Sequence, residues 1–518
     1  MKFGKLLMSM VVGVVLSTSV CGVAFGANYK VYKPVEEIII TAPTDGYETQ
    51  AENISILGAC NPQNQLYLNG ELVEITESGF FSDYVQLKDG KNIFQFKNGS
   101  KTKVITVIKK TSEAVVDTPT VAEEVPEATE APKVTEEESK KTDLYDETKV
   151  PIYGVVNRNN ISHRTNPDES NELLTPLAKG TTTQIIGETD EYYRIYDGTY
   201  IYKETLDVEE GTLEQNKITH ISFEPEAEEN LTELGFNMDY AALYSLTADK
   251  EKAVLTIFNT KVFQPDASVR TNLLFEDVTA VQEGENAVYT VYFKDDFDVC
   301  GSSVSFYDRK LMLSFKKAPV ILEYGSLKGA KIVIDAGHGD TDSGAVGPAG
   351  VNGPMEKDIN LQIALAACSY SEDKGAEVIM TRTDDTFVSL ADRVDVILNE
   401  KPDLAISIHG NSLPVTSDYT NTSGFLTFYT YKDINGAVNF MNTNVAGLMD
   451  FLGKEPRQSN LALTRITNCP AVLFESKFLS NPQDYEWLIK EENQKSFGEA
   501  IGRAAEKYVE SIADYKKS

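Results

Sequence analysis

Histidine and tryptophan are scarce in this chain, with four and one copies among 518 residues. Basic residues are also few: the chain has 48 Lys and Arg but 79 Asp and Glu, which gives a net charge of −31 at pH 7. A chain so acidic repels phosphates, which argues against a nucleic-acid partner. The cysteines include no CxxC pair, so none has the spacing of a metal site.

Long apolar runs are missing except at the N-terminus. There a basic start, an apolar run at residues 6–16 and the small-x-small sequence Ala24-Phe25-Gly26 form the pattern of a secretory signal, which we predict at residues 1–26. A retained membrane anchor and lipidation at Cys21 are the alternatives. No second run approaches the roughly 18 residues of a membrane span. We therefore expect a secreted protein, extracellular or associated with the cell wall, without a membrane partner once the signal is removed.

Cysteine usage after signal removal is limited to Cys60, Cys300, Cys368 and Cys469. An exported chain can pair such residues. Their scattered positions favour buried free thiols, and pairing stays open.

Alternating apolar and polar residues with Asn-Gly and Asp-Gly turns recur through residues 27–110. This pattern predicts a small antiparallel β-sandwich. The stretch SILGACNPQNQLYLNGE followed by GFFSDYVQLKDGKN resembles bacterial immunoglobulin-like modules, which are more often spacers than binders. Residues 111–148 are acidic, contain three prolines and have almost no aromatic residues, which predicts a disordered linker.

A second β-type unit is predicted at residues 149–208. The stretch from Asn160 to Asp207 resembles the bacterial SH3-like wall-binding module: Ile161, Arg164 and Pro167 stand where that family's opening signature lies. His163 replaces the usual valine, and no tryptophan precedes the YRI strand. Wall binding and a spacer role both stay open for this unit.

A third β-rich unit is predicted at residues 209–325, because KITHISFEP, KAVLTIFNTKVF, AVYTVYFKDDFDV and VSFYDRKLMLSFKKAP alternate in the same way. It weakly resembles the N-terminal module that localises cell-wall amidases on the envelope. The chain is thus predicted to be multidomain, with three small all-β domains before the C-terminal unit.

The pattern changes in residues 326–518, where apolar strands alternate with helices. The predicted strands are KIVIDA, EVIMTR, LAISIH, GFLTFYT and AVLFES, and the predicted helices span 357–374, 389–399, 434–452 and 493–511. Near-continuous apolar strands separated by helices predict an α/β domain with a mostly parallel sheet covered by helices. In such sheets chemistry gathers at the carboxyl ends of strands.

Four polar residues stand near those strand ends. His338 follows KIVIDA, His409 ends LAISIH, Glu475 ends AVLFE, and Glu356 opens the first helix after a glycine-rich loop. Two His and one Glu leave zinc an open position, as in catalytic rather than structural sites. Glycines beside both histidines are expected to leave room for metal and substrate. Glu475 is then the carboxylate that takes a proton and passes it to a leaving amine.

These motifs occur together in one known family. IVIDAGHGD, EKDIN, VIMTRTDD, SLADRVDVILN, SIHGNS and CPAVLFESKFLSN resemble, in order and spacing, the zinc-dependent N-acetylmuramoyl-L-alanine amidases of the third type. The resemblance implies Zn²⁺ bound by His338, Glu356 and His409, with Glu475 as catalytic acid/base. It also implies peptidoglycan as the partner, cut between the lactyl group of N-acetylmuramic acid and L-alanine of the stem peptide. No obligate protein partner is predicted.

Three further residues match the family more loosely. Arg382 and Arg393 are tentative substrate-binding residues, with a structural ion pair as the alternative, and Asn411 either binds substrate or holds the zinc loop. The family usually has glycine where Lys477 stands, so this lysine is expected to affect substrate fit or the pKa of Glu475. The short stretch 412–423 leaves no room for the inhibitory helix that some relatives insert there.

Two other functions stay open at this stage. One is a zinc peptidase or deacylase that uses the same site on another amide. The other is a wall-binding scaffold with an inactive amidase domain, against which the presence of all four core residues argues.

Overall fold

The computed structural model describes residues 30–110, 143–144, 150–167, 174–228, 230–272, 274–295, 298–429, 434–449 and 455–515. The predicted signal peptide and most of the predicted linker lie outside the described residues. Among the described residues, no helix is both long and apolar enough to cross a membrane.

Residues 30–110, the N-terminal module, form two sheets, ordered β1-β3-β6 and β2-β8-β7-β4-β5. The strands are β1 (Ile39–Ala42), β2 (Tyr47–Thr49), β3 (Asn53–Ala59), β4 (Leu66–Leu68), β5 (Glu71–Val73), β6 (Phe80–Gln86), β7 (Gly90–Asn98) and β8 (Lys101–Lys109). Apolar residues from both sheets, among them Ile56 and Phe96, share one core. The immunoglobulin-like relationship stays a prediction.

A second group of strands follows. They are β9 (Asp143–Leu144), β10 (Ile152–Val156), β11 (His163–Arg164), β12 (Thr182–Glu188), β13 (Tyr192–Ile195), β14 (Tyr200–Tyr202) and β15 (Leu206–Glu210), joined in one sheet. The strand β9 lies inside the predicted linker and pairs with β12. This part of the predicted linker therefore adds a short strand to the sheet.

The third group contains two sheets, ordered β20-β16-β17-β24-β23 and β18-β19-β22-β21. Its elements are β16 (Asn216–Glu228), β17 (Leu231–Met238), β18 (Tyr244–Ala248), β19 (Lys252–Ile257), β20 (Thr260–Lys261), α1 (Ala267–Arg270), β21 (Phe275–Glu283), β22 (Asn286–Phe293), β23 (Val299–Tyr307), β24 (Lys310–Lys317) and β25 (Val320–Ile321).

The second and third groups share one hydrophobic core, which includes Leu177 and Ile195 from the former and Leu255 and Phe315 from the latter. A buried polar contact joins them too, because the Tyr244 hydroxyl donates to Pro176 O at 2.9 Å. The boundary predicted at residue 208 falls inside β15, two residues before the end of the second group, and the packing is continuous across it.

Residues 326–515, the C-terminal segment, combine strands with the longer helices. Its elements are β26 (Lys331–Ala336), α2 (Glu356–Asp373), β27 (Glu377–Met380), α3 (Leu390–Glu400), β28 (Leu404–Asn411), β29 (Leu426–Tyr429), α4 (Ala437–Met449), β30 (Arg457–Gln458), β31 (Ala471–Phe478), α5 (Pro482–Leu488), α6 (Glu491–Ile512) and β32 (Asp514–Tyr515). Short 3₁₀ turns cover Gly350–Asn352, Tyr419–Asn421 and Ile434–Gly436 here, and Lys203–Thr205 in the second group. The five predicted strands and four predicted helices all occur, whereas α5 was not predicted.

The sheet of this segment has the order β27-β26-β28-β31-β29-β30. Pairing is parallel from β27 through β31 and antiparallel between β31 and β29. Alternate residues of β26 face opposite sides: Ile332 and Ile334 pack with α2, α5 and α6, whereas Val333 packs with α3 and Ile466. Both faces are therefore covered, which explains why the central strands are mostly apolar.

The β groups contact the C-terminal segment directly. Lys316 and Asp403 form an ion pair of 3.1 Å with side chains only 7% and 3% exposed. From the second group, Asn159 Nδ2 donates to Asp395 Oδ1 and Asn160 Nδ2 to Ala462 O, each at 2.8 Å. These parts are thus packed on the C-terminal segment.

Candidate metal centre

His338 lies two residues beyond β26 and has a positive φ of 62°. The glycines beside it serve close packing. A Cβ on Gly337 would collide with the imidazole of His409, and one on Gly339 would collide with Thr386 O. We expected Gly337 and Gly339 to leave space for metal and substrate. The structure shows instead that this space is occupied by the His409 ring and by the backbone at Thr386.

Three predicted ligands come together at this end of the sheet. Glu356, at the start of α2, places Oε1 3.0 Å from His338 Nε2 and 3.1 Å from His409 Nδ1. One ligand atom from each residue lies within 4.8 Å of the others. Two imidazole nitrogens and a carboxylate oxygen are a donor set that zinc accepts in catalytic sites. The residues present therefore fit a zinc ion.

Further polar groups orient these ligands. Asp342 Oδ2 lies 2.8 Å from His338 Nδ1, so the opposite nitrogen is turned toward Glu356. Asn360 Nδ2 and Gly410 N donate to Glu356 Oε1 at 3.2 and 3.0 Å, and Ala345 N donates to Oε2 at 2.7 Å. Metal ligands commonly need such outer partners to fix their orientation.

Sequence reasoning missed Asp342 and Asn360, although helical spacing pointed to Asn360. Asp342 follows His338 by four residues in the same loop, and Asn360 stands one helical turn after Glu356. Residues at that spacing in a helix share one face.

Electrostatics couple the ligands in the absence of metal. Burial opposes protonation of His338, but hydrogen bonds to Glu356 and Asp342 outweigh it and raise its pKa to about 9. Burial also opposes ionisation of Glu356, yet hydrogen bonds from His338 and His409 hold its pKa well below the usual range. The metal-free site thus keeps a proton on His338 against an ionised Glu356 at neutral pH.

Glu475 lies on β31 directly opposite His409 of β28 in the parallel register. Burial raises the pKa of its carboxyl to about 7, the nearby histidines work against this rise, and the charge of Glu356 adds to it. Its Oε2 is buried without a hydrogen-bond partner among the described residues. A carboxyl with a pKa near neutrality is suited to take up and release a proton.

The two tentative substrate arginines lie beneath the His338 loop. Arg393, 3% exposed, pairs with buried Asp335 at 2.6 Å and donates to His338 O at 2.8 Å. Arg382 donates to Ala336 O and Gly337 O, both at 2.8 Å. These contacts favour the structural alternative, and a substrate role stays an unsupported prediction.

Asn411 and Lys477 are both buried on neighbouring strands. The main-chain carbonyl of Asn411 accepts a hydrogen bond from Leu479 N at 2.7 Å, a contact that does not involve its side chain, so both roles of Asn411 stay predictions. Lys477 Nζ lies 2.7 Å from Asp484 Oδ1, and the cation also lies over the Trp487 ring. The positive charge of Lys477 is therefore paired with a carboxylate of α5.

The remaining histidines and the mature cysteines lie elsewhere. His163 is buried and contacts Thr175 O at 3.0 Å, and His220 is exposed on β16. Four buried cysteines form no disulfide among the residues that the structure describes: Cys60, Cys300, Cys368 and Cys469.

The sequence profile of a family described as N-acetylmuramoyl-L-alanine amidase matches residues 332–507. The protein YqiI of Bacillus subtilis, itself uncharacterised, is 30% identical over 198 residues, which are 38% of this chain and 94% of YqiI. The probable cell wall amidase LytH of Staphylococcus aureus is 31% identical over 240 residues, 43% of this chain and 78% of LytH. The chain belongs to the N-acetylmuramoyl-L-alanine amidase family. The predicted enzyme class and its reaction, hydrolysis of the amide that joins peptidoglycan sugar to peptide, are thereby confirmed.

Solved structures resemble the amidase segment as well. The catalytic domain of CwlV from Bacillus (Paenibacillus) polymyxa var. colistinus is 34% identical to the matched part of this chain. The match covers 35% of this chain and 99% of the CwlV domain, with a TM-score of 0.33. An N-acetylmuramoyl-L-alanine amidase from Clostridium difficile 630 is 30% identical, covers 36% and 99%, and also has a TM-score of 0.33. The family profile leaves residues 27–325 unmatched, so the resemblances suggested for the β groups stay predictions.

Proposed function

We propose that this amidase uses zinc, held by His338, Glu356 and His409, to hydrolyse the amide between the lactyl group of N-acetylmuramic acid and L-alanine. One observation carries the proposal: the three donors lie close together, and the buried carboxyl of Glu475 lies beside them, because Glu475 stands opposite His409 on the neighbouring strand. A zinc ion held there supplies a Lewis acid for an amide carbonyl and lowers the pKa of water toward about 7.

The chain's own residues perform the proton transfers. Glu475, as a carboxylate, accepts a proton from the attacking water at Oε2, the oxygen that lacks a partner among the described residues. Once protonated, it delivers that proton to the alanine nitrogen when the C–N bond breaks. Its pKa of about 7 in the metal-free site makes both transfers accessible near neutral pH.

The neighbouring groups keep the site in one geometry. Asp342 holds His338 through Nδ1, and Asn360 with Gly410 N holds Glu356 through Oε1. The Arg393–Asp335 pair supports the loop from below. A ligand set held by such partners needs little rearrangement when metal and substrate bind.

We further propose that the protein is exported and acts on the cell wall. The signal-like N-terminus supports this, since peptidoglycan lies outside the membrane. The probable cell wall amidase LytH, which is 31% identical over 240 residues, supports the same assignment.

Product analysis tests this proposal. Residues 27–518 are purified, stripped of metal with a chelator, reloaded with zinc and incubated with soluble muropeptides. Mass spectrometry is expected to find intact glycan and a peptide with a free L-alanine amino terminus, formed only with zinc. Glu475→Gln is expected to bind zinc normally but lose at least about 100-fold in kcat.

Other outcomes of the product analysis would support the two alternative functions. Cleavage inside the stem peptide supports a zinc peptidase, and wall binding without hydrolysis supports an inactive scaffold. A parent-like rate for Glu475→Gln would remove this residue from the mechanism.

A further inference from the structure

The N-terminal module contacts the C-terminal segment at two places that both lead into the metal centre. One is the glycine-rich loop, residues 344–353, which runs from the His338 loop toward Glu356. The other is the stretch 412–421, which follows Asn411 at the end of β28.

At the first contact, aromatic rings from both parts interlock. Phe80 of β6 is fully buried and belongs to the hydrophobic core of the C-terminal segment rather than to that of the module. Its ring meets Tyr485 of α5 edge-on at 4.9 Å, and Tyr32 packs against Phe80 at 4.8 Å. On the rim, Ser78 Oγ and N donate to the carboxylate of Glu486 at 2.9 and 3.1 Å.

Tyr485, which packs against Phe80, also contacts the glycine-rich loop. Its hydroxyl donates to Pro354 O at 2.8 Å, and its ring fills the space that side chains at Gly347 and Gly353 would need. From the opposite side, a Cβ on Gly350 would lie 3.1 Å from Thr41 Cγ2 of β1. The loop is therefore held between α5 and the module.

The same loop positions a metal ligand. Ala345 N donates to Glu356 Oε2 at 2.7 Å, and Glu356 N donates back to Ala345 O at 3.1 Å. With Oε2 fixed in this way, Oε1 is left facing both histidines. Loosening of the loop therefore frees Oε2 and, with it, the rotation of the carboxylate that turns Oε1 toward the histidines.

The second contact holds the stretch after β28. Ser55, fully buried on β3, donates through N to Val415 O and through Oγ to Ser417 O, both at 2.7 Å. Its Oγ also accepts from Tyr419 N at 3.2 Å. The strand that carries His409 thus continues into a segment fixed by the module.

We propose that the N-terminal module is a positioning part of the metal centre: it clamps the glycine-rich loop and the stretch 412–421 and thereby orients Glu356. This rests on the proposed zinc function. It assigns the module a role beyond the spacer or wall binder suggested by its sequence. The module then affects zinc affinity and turnover even on small soluble substrates, where anchoring to a wall gives no advantage.

Two adjacent phenylalanines provide a matched test in the full chain. Phe80→Ala removes the ring that docks on Tyr485, whereas Phe81→Ala removes a ring from the module's own core, where it packs on Phe96 at 5.7 Å. A second variant, Ser55→Ala with Ser78→Ala, removes polar contacts without a large cavity. All are compared below their unfolding temperatures.

Two readouts are taken on metal-free protein: zinc affinity by competition with a chelating dye, and hydrogen exchange of amides 344–356. Phe80→Ala is expected to weaken zinc binding about 10-fold or more, as loss of an outer partner does, and to speed exchange in the loop. The serine variant is expected to change both in the same direction by less. Phe81→Ala is expected to lower Tm at least as much while leaving both near parent values.

Turnover of soluble muropeptides completes the test. For Phe80→Ala, kcat is expected to fall by a larger factor than KM changes. Parent-like zinc affinity and loop exchange in both docking variants would overturn the proposal, as would equal effects of Phe80→Ala and Phe81→Ala. A parent protein that binds no zinc, or cuts another amide, instead contradicts the proposed function, and the exchange data still report whether the module holds the loop.

Discussion

Asp342 lies 2.8 Å from His338 through Oδ2 and Nδ1, which commits that ring nitrogen to the carboxylate and leaves Nε2 for a metal. This arrangement fixes both the tautomer and the rotation of the imidazole.

We expect Asp342→Ala to weaken zinc binding by about 10–100-fold, the usual cost of losing such a partner. Chelator competition measures this directly. Asp342→Asn, which retains an oxygen acceptor, should recover part of the affinity. Equal affinities for the parent and Asp342→Ala would mean that the loop alone orients His338.

Zinc binding should release a proton. In the metal-free protein, hydrogen bonds to Glu356 and Asp342 outweigh burial and raise the pKa of His338 to about 9, so this ring is protonated at pH 7. A metal must displace that proton, and the apparent affinity therefore rises with pH until about 9. Titration calorimetry in two buffers of different ionisation enthalpy measures the release. Heats that do not depend on the buffer would show that His338 is neutral before zinc binds.

The α/β part of the chain could be predicted because its local signals agree. Strands such as β26 and β28 are buried on both faces and consist mostly of apolar residues, and the helices between them are long. The missed helix α5 is only 7 residues long, and it starts at Pro482 directly after Asn481, whose side chain caps it. A cap followed by proline was a usable signal.

The site residues were predictable in identity but only partly in role. Arg382 and Arg393 carry a motif that suggests substrate, yet folding turns them toward carbonyls of the His338 loop. The direction of a long side chain depends on tertiary contacts that a linear pattern does not contain.

Contacts between distant parts were beyond sequence reasoning. Phe80 and Phe81 are adjacent and equally apolar, but they belong to different cores. Alternation along β6 predicts that they face opposite sides, and it cannot identify what covers each side.

Glu475 should destabilise the metal-free protein at alkaline pH. Burial raises its pKa from 4.5 to about 7, so the neutral form is favoured by folding. Its contribution is present in full below the unfolded pKa and is lost as the pH rises through about 7. Glu475→Gln should therefore stabilise the metal-free protein at pH 8 by roughly 3 kcal/mol, on the scale of 1.36 kcal/mol per pKa unit, and have little effect at pH 4.

Urea unfolding of both proteins across this pH range provides the measurement. A stability difference that stays constant with pH would show that Glu475 is not the titrating group.

Lys477 stands where the family usually has glycine. Its contacts in the structure indicate an effect on stability rather than on catalysis. Its ammonium and the Asp484 carboxylate are 2.7 Å apart, with side chains 10% and 3% exposed. Replacing Lys477 by the glycine usual in the family leaves Asp484 buried with its remaining donors, Ser423 Oγ and backbone N–H groups of Gly424 and Phe478. Because loss of one partner of a buried pair costs about 3–5 kcal/mol and these donors compensate in part, we expect Lys477→Gly to destabilise by about 2–3 kcal/mol.

The pH profile of kcat should stay unchanged in Lys477→Gly, since the ammonium of Lys477 pairs with Asp484 at 2.7 Å rather than with Glu475. The matched control is Lys477→Met with Asp484→Asn, which removes both charges and should recover much of the stability lost with the lysine. Chemical unfolding and the kcat profile separate the two effects. A profile displaced along the pH axis in Lys477→Gly, at a temperature where the protein is folded, would show that this lysine acts on the catalytic acid after all.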